Sequence, residues 1–511
     1  MNKLFKYKKL SYLYIILLGV ISSFSLPPFN FFAINFITIS LFFIFLVESR
    51  FYIKNKLYYF LYGWLFGFGY FTTSLYWIAI SLTFDADLKY LIPLSVILVP
   101  SFISLFFALP TYLFSYFLNL NKINLILSFS ILFAFFEFLR GTILTGFPWN
   151  LFVYSFSNNI TFLQALSILG TYGLNLLCIT FFLLPCILIY KTKNELIFLS
   201  FSIILFLSLI IFGKNRLNDQ NQISYLENNI SIKVISSNIE IERFYNEKNE
   251  IEIINQLIDL SDPNNNKPTI FVWPEGAITA SYLDDIQKYK KLFSERFTKE
   301  HKIILGLNDI KYEDGVKIYN SLVVLDNELN LISLYHKNKL VPFGEFLPYE
   351  NFLSKVGLRK ITNSYQSFSR DSNREIIKIN NLKILPLICY EIIYSGKLSK
   401  NKDFDLLVNI SEDGWFGKSI GPNQHFAHLI FRSIEEGKSS IRSTNNGISA
   451  FIDPLGRIIN FKESTKSGAF IVNQVPSLDN KTFFSHYGNN IFFNLLIIYI
   501  ILIFFLQRIK K

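Results

Sequence analysis

The sequence predicts a mixed α/β domain joined to a set of membrane-spanning helices. The chain of 511 residues is 51% hydrophobic and 17% aromatic, which is more apolar than an ordinary soluble protein. Its apolar residues concentrate in the first 212 residues and in one run near the other end. Between these parts lie short strand-like runs rich in Ile, Val, Leu and Phe, interspersed with helical patterns.

Eight apolar runs match the thickness of a bilayer, and in lipid each must be helical because no water satisfies its backbone. The first is followed by Pro27 and Pro28, which stop a helix, and no small-residue cleavage site follows, so we expect a retained span. We therefore expect a transmembrane domain with seven helices over residues 1–213 and a C-terminal transmembrane helix with its tail over residues 488–511. The eight runs are residues 10–26, 31–47, 57–80, 91–117, 123–139, 162–190, 196–212 and 491–506.

Basic residues mark every second loop, and such loops face the cytoplasm in most membrane proteins. The pattern places both ends of the chain in the cytoplasm and the domain between the seventh and eighth spans outside it. Lys214 and Arg216 break the pattern, but they open a long domain, for which the rule is weak. The marking residues are Lys3, Lys6, Lys8, Lys9, Arg50, Lys54, Lys56, Lys122, Lys191, Lys193, Arg508, Lys510 and Lys511.

The net charge of +11 raises the question of a nucleic-acid partner. No helix-turn-helix, zinc-finger or RNA-binding motif accompanies the charge. Many of the lysines instead flank apolar spans, where they meet anionic lipid head groups. We expect membrane lipids as partners, and no nucleic acid.

The middle domain, residues 229–475, contains nine strand-like runs and two helical patterns, at 245–260 and 427–438. Several runs are apolar on both faces, which is typical of strands buried inside a layered α/β sandwich. The nine runs are residues 230–235, 269–273, 302–307, 321–325, 331–335, 382–389, 405–410, 447–453 and 469–472.

Cys389 is the one cysteine of three that lies outside the long apolar runs. Cys178 and Cys186 share one span and are expected to be packing residues. A single thiol in an outer compartment has no internal disulfide partner, and an idle exposed thiol there is a liability. This favours a chemically active Cys389.

Two further polar residues follow strand-like runs: Glu275 after Trp-Pro, and Lys337. Each alone has a plainer interpretation, as a turn acid or a solvated lysine, just as Cys389 alone suits a small buried hydrophobe. Together they suit acyl transfer. A carboxylate can take the thiol proton, and a fixed ammonium can stabilise the oxyanion. Glu345 and Glu391 are further acids that can orient Lys337 or Cys389.

Other polar and aromatic residues leave alternatives open. His425 and His428 have a spacing that suits a metal on a helix, but no third ligand is evident, so we expect no metal and no cofactor. Arg140 ends a span and either reaches the membrane surface or pairs with Glu137. Trp415 and Phe416 suit either a core or an acyl-binding groove.

The three polar residues in their motifs resemble the Glu-Lys-Cys triad of the nitrilase (carbon-nitrogen hydrolase) superfamily. Within it, the long motifs and the placement of the spans are similar to the bacterial apolipoprotein N-acyltransferase family, and the resemblance covers nearly the whole chain. The motifs are Trp-Pro-Glu at 273–275, Tyr-His-Lys-Asn-Lys-Leu-Val-Pro-Phe-Gly-Glu at 335–345, Ile-Cys-Tyr-Glu at 388–391, and the segments 137–141, 145–149, 413–417, 421–425 and 442–449.

The resemblance implies a nitrilase-type α-β-β-α sandwich as an extracytoplasmic catalytic domain, on the periplasmic side of the bacterial inner membrane. It also implies the last step of lipoprotein maturation. Cys389 would take an acyl group from a phospholipid, typically phosphatidylethanolamine, and pass it to the α-amine of an S-diacylglyceryl-cysteine at a lipoprotein N-terminus. Glu275 would be the base, and Lys337 would stabilise the oxyanion.

The resemblance further suggests supporting roles for Glu345, Tyr390 and Glu391. It suggests substrate contacts at Asn238, Tyr245, Phe343, Trp415 and Phe416. Three positions depart from the family pattern: Ser236-Ser237-Asn238 stands for Gln-Gly-Asn, Tyr245 stands for a tryptophan, and Ser411-Glu412-Asp413 stands for Ser-Asn-Asp.

Two other functions remain open from the sequence. A membrane-tethered amidase of the nitrilase type would use the same triad with water as the acceptor and small amides as substrates. A non-catalytic membrane scaffold would keep the domain for binding alone. A binding module has no need for all three of Glu275, Lys337 and Cys389, which disfavours the scaffold.

Overall fold

The computed structural model describes the chain in eleven segments. These are residues 7–188, 192–226, 230–244, 250–263, 267–312, 315–350, 355, 367–396, 398, 403–463 and 465–508.

The apolar part of the chain is helical, as predicted, because an unbroken apolar run satisfies its own backbone only as a helix. Each of the eight predicted runs coincides with a helix or an interrupted helix. The described residues form α1 (Lys8–Ser23), α2 (Ala33–Ser49), α3 (Leu57–Leu75), α4 (Ile92–Ile103), α5 (Leu105–Phe114), α6 (Lys122–Arg140), α7 (Ile160–Leu163), α8 (Leu166–Phe182), α9 (Pro185–Leu188), α10 (Lys193–Asn218), α11 (Glu250–Ser261), α12 (Lys290–Ser294), α13 (Gly421–Glu436), α14 (Phe483–Tyr487) and α15 (Asn490–Arg508).

Six helical stretches within the described segments are long and apolar enough to cross a membrane. Helix α2 is apolar but shorter, and α1 has 16 residues. A membrane-compatible helical region is therefore present, while the count of eight spans stays a prediction. The six stretches are Leu57–Thr83, Ala86–Phe114, Lys122–Arg140, Leu166–Leu188, Lys193–Asn218 and Asn490–Arg508.

The middle domain contains two six-stranded mixed sheets. One has the strand order β13-β2-β3-β4-β5-β6 and the other β12-β11-β10-β9-β8-β7, while β1 pairs with β14 apart from both. The strands are β1 (Ile223–Tyr225), β2 (Ser231–Ser236), β3 (Thr269–Val272), β4 (His301–Lys311), β5 (Lys317–Leu325), β6 (Leu331–His336), β7 (Ile377–Ile379), β8 (Leu382–Ile388), β9 (Leu406–Glu412), β10 (Ser439–Asn445), β11 (Ser449–Ile452), β12 (Ile458–Lys462), β13 (Gly468–Val472) and β14 (Pro476–Leu478).

The two sheets pack face to face, with helices on their outer faces. The apolar core between the sheets draws residues from β2–β6 on one side and from β7–β11 on the other. Helix α11 covers the first sheet with Ile254, Leu257 and Ile258, which recur on one face of the helix. Helix α13 covers the second sheet and also joins the core of the apolar helices. This gives a helix–sheet–sheet–helix order of layers.

All nine predicted strands are present, and the sequence missed β1, β7, β10, β12 and β14. The important omission is β10, which lies between β9 and β11. Its sequence, Ser-Ser-Ile-Arg-Ser-Thr-Asn, is polar, yet every residue is buried. The strand lacks the apolar pattern expected of a buried strand. Its polar side chains can be buried because they form hydrogen bonds with neighbouring segments.

The two predicted helices of this domain are also corrected. The helix expected at 427–438 is α13, which begins six residues earlier and ends before Gly437, whose φ of 64° suits a glycine at a helix end. The helix expected at 245–260 is described from Glu250 onward, as α11. Its first five predicted residues lie outside the described segments.

Helix α13 is also the main polar contact with the apolar helices. The Gln424 side-chain carbonyl accepts hydrogen bonds from the indoles of Trp77 (3.1 Å) and Trp149 (2.9 Å). Further along α13, the Glu435 carboxylate accepts from the backbone N–H (2.6 Å) and hydroxyl (2.7 Å) of Thr171 in α8. These buried polar bonds hold the domain in one orientation on the helical region.

The packing of α11 predicts a difference between two isoleucines on the same helix. Ile254 is fully buried, whereas Ile251 is 59% exposed. We expect Ile254→Ala to lower the free energy of unfolding by about 2–5 kcal/mol, because it leaves a cavity against the sheet. The thermal midpoint of the protein in detergent measures the effect. Ile251→Ala is the matched control, and an equal shift in both variants would contradict this packing.

Candidate active site

Cys389 lies directly after β8, at the first residue of a short 3-10 helix, Cys389–Ile393. Its φ of 45° belongs to the left-handed region, which L-residues with side chains rarely adopt. The backbone therefore turns sharply at this residue, and surrounding contacts must maintain the turn. The thiol is partly buried.

Glu275 follows β3, and its backbone packs tightly against β4. A Cβ on Gly306 would lie 2.7 Å from the Glu275 Cα, so the close approach requires glycine there. The backbone N–H of Ala277 donates to the Gly306 carbonyl (3.1 Å), which continues the pairing of β3 with β4 beyond the strand. These backbone contacts hold Glu275 rigidly just beyond the end of β3.

Lys337 lies at the end of β6 with its side chain buried. Its ammonium Nζ is 3.1 Å from Glu275 Oε1 and 2.8 Å from Glu345 Oε1. The Asn320 amide donates to the same two oxygens, at 2.7 and 2.8 Å. One ammonium and one amide therefore hold two carboxylates together in a closed cluster, which we call the carboxylate–lysine cluster.

The remaining carboxylate oxygens are also satisfied. Glu275 Oε2 accepts from the backbone N–H of Glu412 (3.0 Å), and Glu345 Oε2 accepts from the backbone N–H of Val341 (2.8 Å). Each carboxylate is thereby fixed through both of its oxygens. The cluster combines parts of both sheets, because Glu412 ends β9 of the second sheet.

Burial opposes the charge of Lys337, yet Glu275 and Glu345 outweigh it and hold its pKa well above the ordinary value. Lys337 therefore carries its charge at neutral pH. Burial and the Glu275 carboxylate raise the pKa of the Cys389 thiol, while Lys337 acts in the opposite direction. The resting thiol is thus neutral, and a thiolate forms only if a base takes the proton.

Glu391 ties the Cys389 turn to the Lys337 segment. It is fully buried, and its Oε1 accepts from the Tyr335 hydroxyl (2.6 Å) and the backbone N–H of Asn338 (2.9 Å). Its Oε2 accepts from the backbone N–H of Ile388 (2.9 Å). One carboxylate therefore links the residues that flank both predicted site residues.

Tyr390 connects the turn to the apolar helical region. Its hydroxyl donates to the Gly146 carbonyl at 2.9 Å, in the loop that follows α6. Arg140 holds the same loop by donating to the carbonyls of Phe147 (2.9 Å) and Trp149 (2.6 Å). Arg140 itself is buried and its Nη2 lies 3.5 Å from Glu137 Oε1, so of the two alternatives the structure shows the pairing with Glu137.

The predicted substrate-contact residues do not form a single cluster as Glu275, Lys337 and Glu345 do. Asn238 is exposed just after β2, and Phe343 is exposed in the loop after Lys337. Trp415 is half-buried and packs against Phe84, with ring centroids 5.9 Å apart. Tyr245 lies outside the described residues.

Phe416 is half-buried in an aromatic cluster beside the Cys389 turn. Its ring centroid is 4.7 Å from that of Trp77, 6.0 Å from that of Trp149 and 5.5 Å from that of His425. Trp77 and Trp149 belong to the apolar helical region. The α/β domain and the apolar helical region thus both contribute side chains to this aromatic cluster.

The structure accounts for one departure from the family pattern. Glu412 is buried and pairs with the Arg243 guanidinium, and it accepts from the Asn445 amide (2.8 Å). Burial raises the pKa of Glu412, and Arg243 opposes that rise. A carboxylate is tolerated here because Arg243 supplies the opposite charge.

Sequence reasoning missed several residues that complete the site. Asn320, Asn409, Asp413 and Arg442 are all buried and hydrogen-bonded around it. Asp413 and Arg442 lie in motifs that carry the family resemblance. Asn320 and Asn409 lie in largely apolar strands, and Arg442 lies in a strand that was not predicted, so no local pattern indicated a role for any of the three. Within the described part of the chain, no group of three or more His, Cys, Asp or Glu side chains converges to hold a metal ion.

The fold and the site define the class of protein, a carbon-nitrogen hydrolase domain joined to an apolar helical region. Residues 245–475 match the carbon-nitrogen hydrolase family model, and residues 18–184 match the apolipoprotein N-acyltransferase N-terminal domain. The first match contains α11 and every strand of the two six-stranded sheets except β2.

Curated relatives narrow the class to one family. An apolipoprotein N-acyltransferase of Rickettsia prowazekii is 34% identical over 87% of this chain and 89% of its own length. One of Rhodopseudomonas palustris is 31% identical over 87% of this chain and 85% of its own. The chain belongs to the apolipoprotein N-acyltransferase family and is an acyltransferase.

A solved structure of a CN-hydrolase superfamily protein from Xanthomonas campestris is also similar. It is 14% identical, with a TM-score of 0.32, over 48% of this chain and 89% of its own.

The carboxylate–lysine cluster predicts a large loss of stability in Lys337→Met. The variant leaves two buried carboxylates without their cation, which we expect to cost about 3–5 kcal/mol near neutral pH. Thermal unfolding in detergent at neutral pH measures this.

The double variant Lys337→Met/Glu345→Gln is the matched control, because it removes one of the two charges. It is expected to regain much of the lost stability at neutral pH. An equal loss in the single and the double variant would contradict the cluster. In the wild type, the raised pKa of Lys337 keeps its contribution to stability complete below the ordinary lysine pKa, and the contribution is lost only as pH rises through the raised value.

Proposed function

We propose that this chain acylates the α-amine of the N-terminal S-diacylglyceryl-cysteine of lipoproteins, with a phospholipid as the acyl donor. The observation that carries the proposal is the carboxylate–lysine cluster beside a cysteine on a sharp turn, in a chain of this family. The catalytic residues are Glu275, Lys337 and Cys389. No cofactor takes part in the reaction.

In the first half-reaction, the Cys389 sulfur attacks the sn-1 ester carbonyl of the phospholipid, and Glu275 takes the thiol proton. This base is needed because the raised pKa of Cys389 keeps the resting thiol neutral. The ammonium of Lys337 stabilises the oxyanion. The C–O bond then breaks, the proton passes to the leaving oxygen, and a lysophospholipid and a thioester remain.

In the second half-reaction, the lipoprotein amine attacks the thioester carbonyl. Glu275 accepts the amine proton, the C–S bond breaks as the amide forms, and the proton passes from Glu275 to the Cys389 sulfur, which restores the thiol. Glu345 keeps Lys337 in place, since it shares the ammonium with Glu275. Glu391 and Tyr390 hold the turn that presents Cys389.

The three parts of the chain fit this reaction. We place seven spans in residues 1–213, the catalytic domain in residues 229–475 on the periplasmic side of the inner membrane, and an eighth span in residues 488–511, with both termini in the cytoplasm. Both substrates are lipid-anchored, so the site must be reached from the bilayer surface. Phosphatidylethanolamine is the proposed donor.

Aromatic side chains from both parts of the molecule suit the acyl chain. Phe416 and Trp415 are half-buried against residues of the helical region. Phe343 is 47% exposed beside the Lys337 segment. Asn238 and Tyr245 complete the proposed substrate contacts.

The thioester gives the most direct prediction. Purified protein incubated with labelled phosphatidylethanolamine and no acceptor is expected to carry one acyl group on Cys389, detected by mass spectrometry of the intact protein and its peptides. Cys389→Ala is expected to carry none and to lose transfer. Cys186→Ala is the matched control, because that thiol is buried among the apolar helices and is expected to leave the adduct intact.

Absence of the adduct from the wild-type protein would exclude the thioester route. Turnover of small amides without phospholipid, with water as the acceptor, would instead indicate the tethered amidase. If neither the adduct nor amide turnover is observed, the non-catalytic scaffold is the better description.

Glu275→Gln separates the base from substrate binding. Glutamine keeps the shape and one acceptor but takes no proton. We expect the rate of thioester formation to fall by about 10²–10⁴. Phospholipid binding, measured by co-purified lipid or fluorescence of a labelled analogue, is expected to be unchanged. Thioester formation at the wild-type rate would rule out Glu275 as the base.

A further inference from the structure

The carbonyl of Cys389 accepts two side-chain hydrogen bonds, one from each of two elements that pack beneath the turn. His425 Nε2, on α13, lies 3.3 Å from this oxygen. Asn409 Nδ2, on β9, lies 3.4 Å from it. Two fixed donors on one carbonyl orient the peptide plane that follows the nucleophile, at a residue whose φ of 45° is seldom adopted.

Arg442 sits behind both donors. This fully buried residue of β10 donates from Nη1 to the Asn409 side-chain carbonyl and from Nη2 to His425 Nδ1, the latter at 2.9 Å. Nη2 also donates to both oxygens of Asp413, at 2.8 and 2.9 Å. Asp413 balances the buried charge.

A guanidinium has donors only, and this sets the orientation of Asn409. The Asn409 oxygen must face Arg442, so its NH₂ group faces the Cys389 carbonyl. Burial and the neighbouring Arg442 lower the pKa of His425, while Asp413 opposes them. His425 Nδ1 lies 2.9 Å from Arg442 Nη2 and 3.0 Å from Asp413 Oδ1. The carbonyl oxygen at Nε2 and the guanidinium at Nδ1 favour the ring with its proton on Nε2, which donates to Cys389.

We propose that Arg442 is a positioning residue that fixes the backbone of Cys389 through Asn409 and His425, and thereby sets the direction of the nucleophilic thiol. Its two arms select the donor ends of both side chains and point them at one carbonyl. Arg442 does not touch the reacting atoms. The inference rests on the proposed thioester at Cys389.

The same arrangement links the nucleophile to the membrane part of the chain. His425 is the neighbour of Gln424, which accepts from the indoles of Trp77 and Trp149. Docking of α13 on the apolar helices therefore places the His425 ring, while Arg442 contacts its Nδ1 from the other side. Correct geometry at Cys389 needs both.

Four single variants test the proposal by single-turnover formation of acyl-Cys389 at increasing phospholipid concentration. Arg442→Lys keeps a charge for Asp413 but loses the two-armed fork. Asn409→Asp keeps the contact with Arg442 but turns an oxygen toward the Cys389 carbonyl. His425→Leu removes the ring donor, and His425→Gln restores a donor of similar reach.

We expect Arg442→Lys, Asn409→Asp and His425→Leu each to lower the saturating rate constant at least about tenfold. The half-saturating phospholipid concentration is expected to stay within about twofold, because binding is not affected. His425→Gln is expected to remain within about threefold of the wild type. A general loss of packing would not distinguish leucine from glutamine in this way.

His428 provides the matched control. It is equally buried on the same helix, but it bonds with the Tyr154 hydroxyl (2.7 Å). His428→Leu is expected to keep the rate constant within about threefold. An equal loss in His428→Leu and His425→Leu, or wild-type rates in Asn409→Asp and His425→Leu, overturns the proposal.

If Asn409→Asp or Arg442→Lys does not fold, as judged by thermal unfolding in detergent, the comparison of His425→Gln with His425→Leu decides alone. Failure of the wild-type protein to form acyl-Cys389 would refute the proposed function. A normal wild-type adduct with unaffected variants would refute only the role of Arg442.

Discussion

The ammonium of Lys337 between two buried carboxylates is the interaction around which the site is organised. Removing Lys337 from the cluster would leave two buried carboxylates without an opposite charge, which is more costly than the ion pairs are stabilising. The strands that carry these residues must therefore meet at this point. Because Glu412 of the other sheet also bonds to Glu275, the cluster fixes the relative position of the two sheets.

The electrostatics of the site give Lys337 and Cys389 opposite protonation behaviour. Lys337 is held charged by its carboxylates, whereas Cys389 is held neutral by burial and by the same Glu275. A neutral thiol resists oxidation, since the thiolate is the reactive form. In the proposed reaction, the Cys389 thiol is thus protected until a substrate ester is in place and Glu275 can accept the proton.

The sequence predicted the helical region, nine strands and the three residues of the proposed triad, because apolar runs and strand ends leave local patterns. It missed β10 and the residues that support Cys389. Strand β10 is polar except for Ile441, and its place between β9 and β11 follows from long-range pairing that no local pattern records. Likewise, the roles of Asn320 and Arg442 could not be predicted, because their hydrogen-bond partners lie on strands that are distant in the sequence.

Glu435 binds the backbone N–H of Thr171 just after Gly170, where the chain of α8 has a φ of 65° and a new helical stretch begins. The carboxylate thus caps a helix that belongs to the other part of the molecule. A soluble fragment made by cutting the chain between these parts would lose that cap and expose Glu435 and Arg432, which are fully buried in the intact protein. Each part therefore completes a buried polar surface of the other, and neither can be cut away without leaving charged groups exposed.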